Sequence, residues 1–128
     1  METFDFFPVW IALGAIPGAL SRYYLSLICA QKRFNDNFPV STLLINLSGA
    51  FGMGFLTTVL QAMNADQWLN DLTLVGFLGA YTTFSTYMLD FSTLLKVGYN
   101  RQALLYGLGS PIGGFLALEM GIALGQGL

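Results

Sequence analysis

Charge is scarce in this sequence: five Lys and Arg against seven Asp and Glu, 9% of 128 residues. A soluble domain carries about 25% charged residues, so this composition excludes an ordinary water-facing globule. Histidine is absent, which removes the commonest acid–base catalyst and metal ligand, and enzymatic function is not expected. Cys29 is the single cysteine, so neither an internal disulfide nor a cysteine-rich metal site can form. The start, Met1-Glu2-Thr3-Phe4-Asp5, is acidic and lacks the basic region of a cleavable signal peptide, so no such cleavage is expected. The pI near 4.6 follows from very few charges and says nothing about nucleic acid.

Apolar residues are plentiful instead: 55% are hydrophobic and the mean hydropathy is +0.62. One membrane span needs about 20 apolar residues. The chain therefore accommodates four short-looped helices, at about 8–30, 40–63, 72–95 and 102–126, in a single transmembrane domain over 1–128. The connections 31–39, 64–71 and 96–101 are polar, and Trp68 suits a membrane interface. The expected fold class is an all-α membrane protein.

The third span holds the most unusual stretch, Gly76 to Tyr87. Two glycines, Thr82, Thr83, Ser85 and Thr86 crowd together with aromatic rings. In hydrocarbon every backbone polar group needs a partner, so hydroxyl-rich or irregular backbone lines protein or a water-filled cavity. Glycines beside Thr82-Thr83 predict a helix broken near its middle, with carbonyl oxygens freed for a cation. A Gly/Thr packing seam is the plainer alternative. Past the break, Phe84 and Tyr87 are three apart and share a face.

The other spans add polar groups at depth. In the first, Gly14 and Gly18 form a small-xxx-small pair that admits another helix closely. Arg22 follows on the same face, roughly 21 Å along the helix from Pro8. It either snorkels to the interface or serves an anion-attracting vestibule or a buried tie. In the second span, Thr42 and Asn46 are four apart, and Ser48, Gly49, Gly52 and Gly54 make the helix thin. A mid-membrane amide such as Asn46 needs a partner or a ligand. In the fourth, Tyr106, Ser110 and Gly114 recur at helical spacing, and Pro111 predicts a kink. Gly109/Gly113 and Gly121/Gly125 are further packing pairs, while Glu119 has no assignable partner.

Together, Thr42, Asn46, Thr82, Thr83, Ser85, Thr86, Tyr87, Tyr106 and Ser110 supply many donors and almost no fixed charge. Such a row suits a small anion that must shed its water without being trapped. Ring edges, which carry the positive part of the aromatic quadrupole, also face anions well. Hydroxyls accept as well as donate, so these residues alone also admit a cation.

Three motifs carry a resemblance over nearly the whole chain: Gly14-xxx-Gly18-xxx-Arg22-Tyr23; Ser41-Thr42-Leu43 with Asn46 and Gly49; and Gly76-Phe77-Leu78-Gly79 with Thr82-Thr83-Phe84-Ser85-Thr86. In this order the chain resembles the Fluc (CrcB) family of fluoride channels. The resemblance implies passive fluoride export that protects the cell from fluoride toxicity. It also implies a multi-pass place in the inner (plasma) membrane and an antiparallel dimer with two pores and a central structural sodium ion. By position, Phe84 resembles the first aromatic-box ring, Asn46 the pore amide, and Ser85, Thr86, Tyr106 and Ser110 the polar track. Gly79 and Thr82 would give backbone carbonyls to sodium, and Thr42 and Asp90 resemble the vestibule threonine and glutamate. The chain departs from the family at the second box ring, where Tyr87 stands for phenylalanine. Gly114 stands where serine is frequent, and Asp90 is shorter than the usual glutamate. A phenol at 87 either donates to the anion or impairs the pore.

Two other functions are weighed against this one. A small multidrug-type exporter needs a membrane carboxylate in its first helix, but Glu2 and Asp5 precede that span and Glu119 is in the wrong helix. A non-conducting assembly subunit fits the glycine pairs but leaves the clustered donors unexplained. The loops carry one further signal. Lys32, Arg33, Lys96 and Arg101 lie on one side of the membrane, with Glu2, Asp5, Asp66 and Asp71 on the other. The positive-inside rule puts the basic loops in the cytoplasm and predicts insertion mainly one way. The partner is therefore expected to be either an inverted copy of the chain or a related, oppositely oriented subunit.

Overall fold

A computed structural model describes residues 7–32 and 38–128. Arg33, Glu2, Asp5 and most of the 31–39 loop lie outside the described residues or outside their described side chains. Within them every regular element is helical: α1 (Phe7–Lys32), α2 (Val40–Ala62), α3 (67–81), α4 (Ser85–Val97) and α5 (Asn100–Gln126). Four segments are long and apolar enough to cross a bilayer: Pro8–Cys29, Val40–Ala62, Gln67–Val97 and Asn100–Gln126. The third is α3 and α4 in succession, so the expected break in the third span is present.

Local chemistry explains the boundaries. After α2 the chain turns at Asn64, whose positive φ of 52° asparagine tolerates better than most residues. After α4, Gly98 adopts a left-handed φ of 97°, and Tyr99 N–H reaches back to the Leu94 carbonyl at 2.9 Å. That is a glycine stop, and it shortens the expected 96–101 loop to two residues. Lys96 falls in the last turn of α4 and Arg101 in the first turn of α5.

The third span also begins earlier than hydropathy indicates. Gln67–Asn70 is already helical, and Gln67 donates to the buried Asp71 carboxylate at 3.0 Å, one turn on. This side-chain pair lets residues with loop-like polarity enter a helix. From Asp71 to Leu78 the helix widens to π geometry, a rare form usually found at functional sites. Pro111 does not interrupt α5, which continues on both sides of it.

Glycines set the packing as two parallel helix pairs. A Cβ on Gly14 would strike the Leu72 carbonyl, one on Gly18 the Phe77 backbone, and one on Gly76 the Ile11 carbonyl, so α1 lies directly on the π segment. In the same way Gly54 meets Leu118, Gly121 meets Phe51, and Gly125 meets Thr58, which draws α2 onto α5. Without a strong hydrophobic drive in lipid, close backbone approach supplies the van der Waals contact that holds helices together. Gly109 departs from the expected pairing: Gly113 touches Leu47, but a side chain at Gly109 would meet no atom within 4 Å. Large apolar side chains such as Ile16, Leu108 and Phe115 point outward, where lipid takes the place of a core.

Candidate functional site

The site is built on the break. α3 ends at Tyr81, Thr82 is extended with ψ at 158°, and α4 starts at Ser85. Several polar groups at this interruption find local partners. Thr82 turns both its N–H and its hydroxyl to the Leu78 carbonyl, at 3.1 and 3.0 Å. Asn46, from α2, makes a two-way clasp on Thr83: its amide donates to the Thr83 carbonyl at 2.8 Å and accepts the Thr83 N–H at 2.9 Å. The Thr83 hydroxyl accepts the Thr86 N–H at 3.2 Å and so caps the restarted helix. Gly49 makes room for this approach, because a Cβ there would collide with the Thr82 methyl. Beside it Ser48 and Tyr81 share a hydroxyl–hydroxyl bond of 2.8 Å.

Next to the clasp lies a cavity of about 310 Å³ lined by Asn46, Thr82, Thr83, Phe84, Tyr87, Ser110 and Pro111. Four expected pore residues, Asn46, Phe84, Tyr87 and Ser110, thus meet in one space, with Thr82 of the expected cation site beside them. Ser85 and Thr86 join through hydroxyl contacts to Thr83, at 3.4 and 3.2 Å. Three rings run beside the cavity, with Phe84 and Tyr87 centred 5.7 Å apart and Tyr87 and Tyr106 5.2 Å apart. Phe84 is 72% exposed, whereas Tyr106 is fully buried.

One helical turn away is a second polar cluster. Thr42 donates to Asp90 Oδ2 at 2.8 Å, and the Tyr106 hydroxyl reaches the same oxygen at 3.4 Å. Thr42 and Asn46 are a turn apart on α2, as are Asp90 and Thr86 on α4, so the two clusters form adjoining steps. Asp90 also lines a depression of about 280 Å³ with Phe38, Pro39, Thr93, Leu94, Val97 and Tyr99, near the membrane end of the bundle. Arg22 is not brought to this cluster: α1 packs on the π segment and α2, and has no extensive contact with α4.

Gly79 is exposed, and a side chain added there would meet nothing within 4 Å. Because the Thr83 N–H is taken by Asn46, it does not give Gly79 its helical bond. No group of three acidic, histidine or cysteine side chains suited to a metal occurs among the described residues.

Three contributors escape a reading of the site residues alone: the Thr83 backbone, the Ser48–Tyr81 pair and Pro111 as cavity wall. Thr83 carries a signal in its place beside Thr82, but its partner is 37 positions away. In the sequence Pro111 is visible only as a helix disturbance.

Fold and site together define a multi-pass helical membrane protein with a neutral, donor-rich cleft beside a broken helix. Residues 9–122 match the family described as CrcB-like protein, Camphor Resistance (CrcB). The chain is 49% identical over 120 residues to a protein of Synechococcus sp. (strain JA-2-3B'a(2-13)) named fluoride-specific ion channel FluC, covering 93% of this chain and 92% of that one. It is 49% identical over 121 residues to a protein of the same name from Trichormus variabilis, covering 93% and 88%. A protein of that name from Hydrogenobaculum sp. is 39% identical over 116 residues, covering 90% and 93%. The chain belongs to the CrcB family.

Proposed function

We infer that this protein is a fluoride-selective channel through which fluoride leaves the cell passively, relieving its toxicity. The observation that carries this reading is the cavity where Asn46, Ser110, Phe84 and Tyr87 converge with almost no fixed charge, together with the similarity to proteins named as fluoride-specific channels. An anion entering hydrocarbon needs its hydration shell replaced. Hydroxyls and an amide do this with weak, successive contacts, which permits release as well as entry. The Asp90 cluster forms the vestibule step, where the carboxylate orients the Thr42 and Tyr106 hydroxyls. Conduction makes and breaks no covalent bond, in keeping with a non-enzymatic role.

The working unit is an antiparallel dimer, formed with a second copy or with a related subunit of opposite orientation. The open faces at Gly79, Gly109 and Gly114, and the exposed Phe84 ring, support a second surface there. The Gly79 and Thr82 carbonyls are suited to a structural sodium ion: they lie at the break, and one lacks the usual N–H from four residues on. The ion would join the broken helices across the subunit boundary. Liposomes holding the purified protein test the function, with fluoride efflux expected and chloride essentially excluded. Equal flux of both ions, or none of either, sinks the reading.

A further inference from the structure

We propose that Tyr87 is a positioning residue: its phenol is fastened to the backbone carbonyl that Pro111 leaves open, so the cavity meets its ring and not its hydroxyl. Proline has no N–H, so the residue four positions earlier loses its helical hydrogen bond. For Pro111 that residue is Gly107, inside a helix that continues on both sides. A bare carbonyl at this depth is costly, because lipid offers no replacement donor. The Tyr87 hydroxyl, from α4, donates to that very carbonyl of Gly107. One residue thus creates a vacancy in the α5 ladder, and a tyrosine on the facing helix fills it.

The surroundings fit the same purpose. Gly107 has no side chain to stand in the way, and a Cβ there would come within 2.6 Å of the Phe91 ring. Tyr87 and Phe91, one turn apart on α4, therefore straddle the bare backbone of α5. Fastened at its hydroxyl, the Tyr87 ring is held between Phe84 and Tyr106, at 5.7 and 5.2 Å. Both Tyr87 and Pro111 line the cavity, so the tether sets the position of one wall. A phenylalanine offers the same ring face but no such anchor. The hydroxyl is withdrawn from the donors that meet an anion, and Tyr87 differs in this from Ser110 and Asn46.

The functional arm of this proposal rests on the channel reading; the structural arm does not. A double-mutant cycle tests both. Tyr87→Phe is measured in the native background and in Pro111→Ala or Pro111→Gly, either of which restores the N–H that Gly107 lacks. In detergent, Tyr87→Phe is expected to lower the melting temperature by on the order of a few degrees with Pro111 present, as for loss of one hydrogen bond in a domain of this size. With the N–H restored the shift is expected to fall below a third of that. Equal shifts in both backgrounds, or none in the native one, overturn the tether. In liposomes, Tyr87→Phe is expected to reduce fluoride flux by a larger factor with Pro111 than without it. The same factor in both would mean that the phenol serves the anion directly, and the proposal falls. If the unaltered protein passes no fluoride, the channel reading fails while the melting cycle still decides the tether.

Discussion

Asn46 shows how one side chain serves structure and site together. Its amide is engaged in both directions by Thr83, yet one N–H of the NH₂ remains for the cavity it lines. Asn46→Asp keeps the size but replaces a donor with acceptors, which sets a carboxylate against the Thr83 carbonyl and repels an incoming anion. Fluoride flux is expected to fall to background in liposomes, and the melting temperature to drop as well. Normal conduction by Asn46→Asp would show that the amide only joins helices. From sequence, Asn46 stands out because a mid-span amide demands a partner. The partner itself stays hidden, because it is a backbone group brought near only by the fold. The same applies to Tyr87: Pro111 is plain in the sequence, but which hydroxyl faces the open Gly107 carbonyl depends on how α4 lies on α5.

At the scale of elements, the spans are legible as long apolar runs and the interruption as glycines among hydroxyls. The early start at Gln67 and the π turn are not, since they depend on the Gln67–Asp71 bond and on α1 pressing its glycines against Leu72 and Phe77. The interruption also carries a prediction of its own. If the Gly79 and Thr82 carbonyls hold sodium, replacing it with a bulky organic cation is expected to reduce fluoride flux and dimer stability together. Cross-linking yield and flux, measured in parallel, check this. Indifference of both to the exchange would make the broken segment an ordinary packing feature.

For the whole molecule, the asymmetry of charge predicts an orientation. Lys96 and Arg101 flank the glycine stop at one end of the bundle, while Asp66 and Asp71 lie at the other end of the third span. Short-loop basic residues remain in the cytoplasm, so the chain is expected to insert mainly one way. A cysteine at Thr3 in a Cys29→Ala background reports this through an impermeant thiol reagent on intact cells. Near-complete labelling is expected and favours a related, inverted partner. Labelling of about half the chains would mean both orientations and a homodimer.

The clasp between Asn46 and Thr83 also bears on the order in which the protein is made. Backbone left open at 82–84 is unwelcome in lipid, so the third span cannot rest there comfortably alone. Synthesis proceeds from the N-terminus, and Asn46 precedes Thr83 by 37 positions. The second span is therefore already waiting in the bilayer when the interrupted one arrives. The irregular segment meets its partner on entry and does not have to search for it.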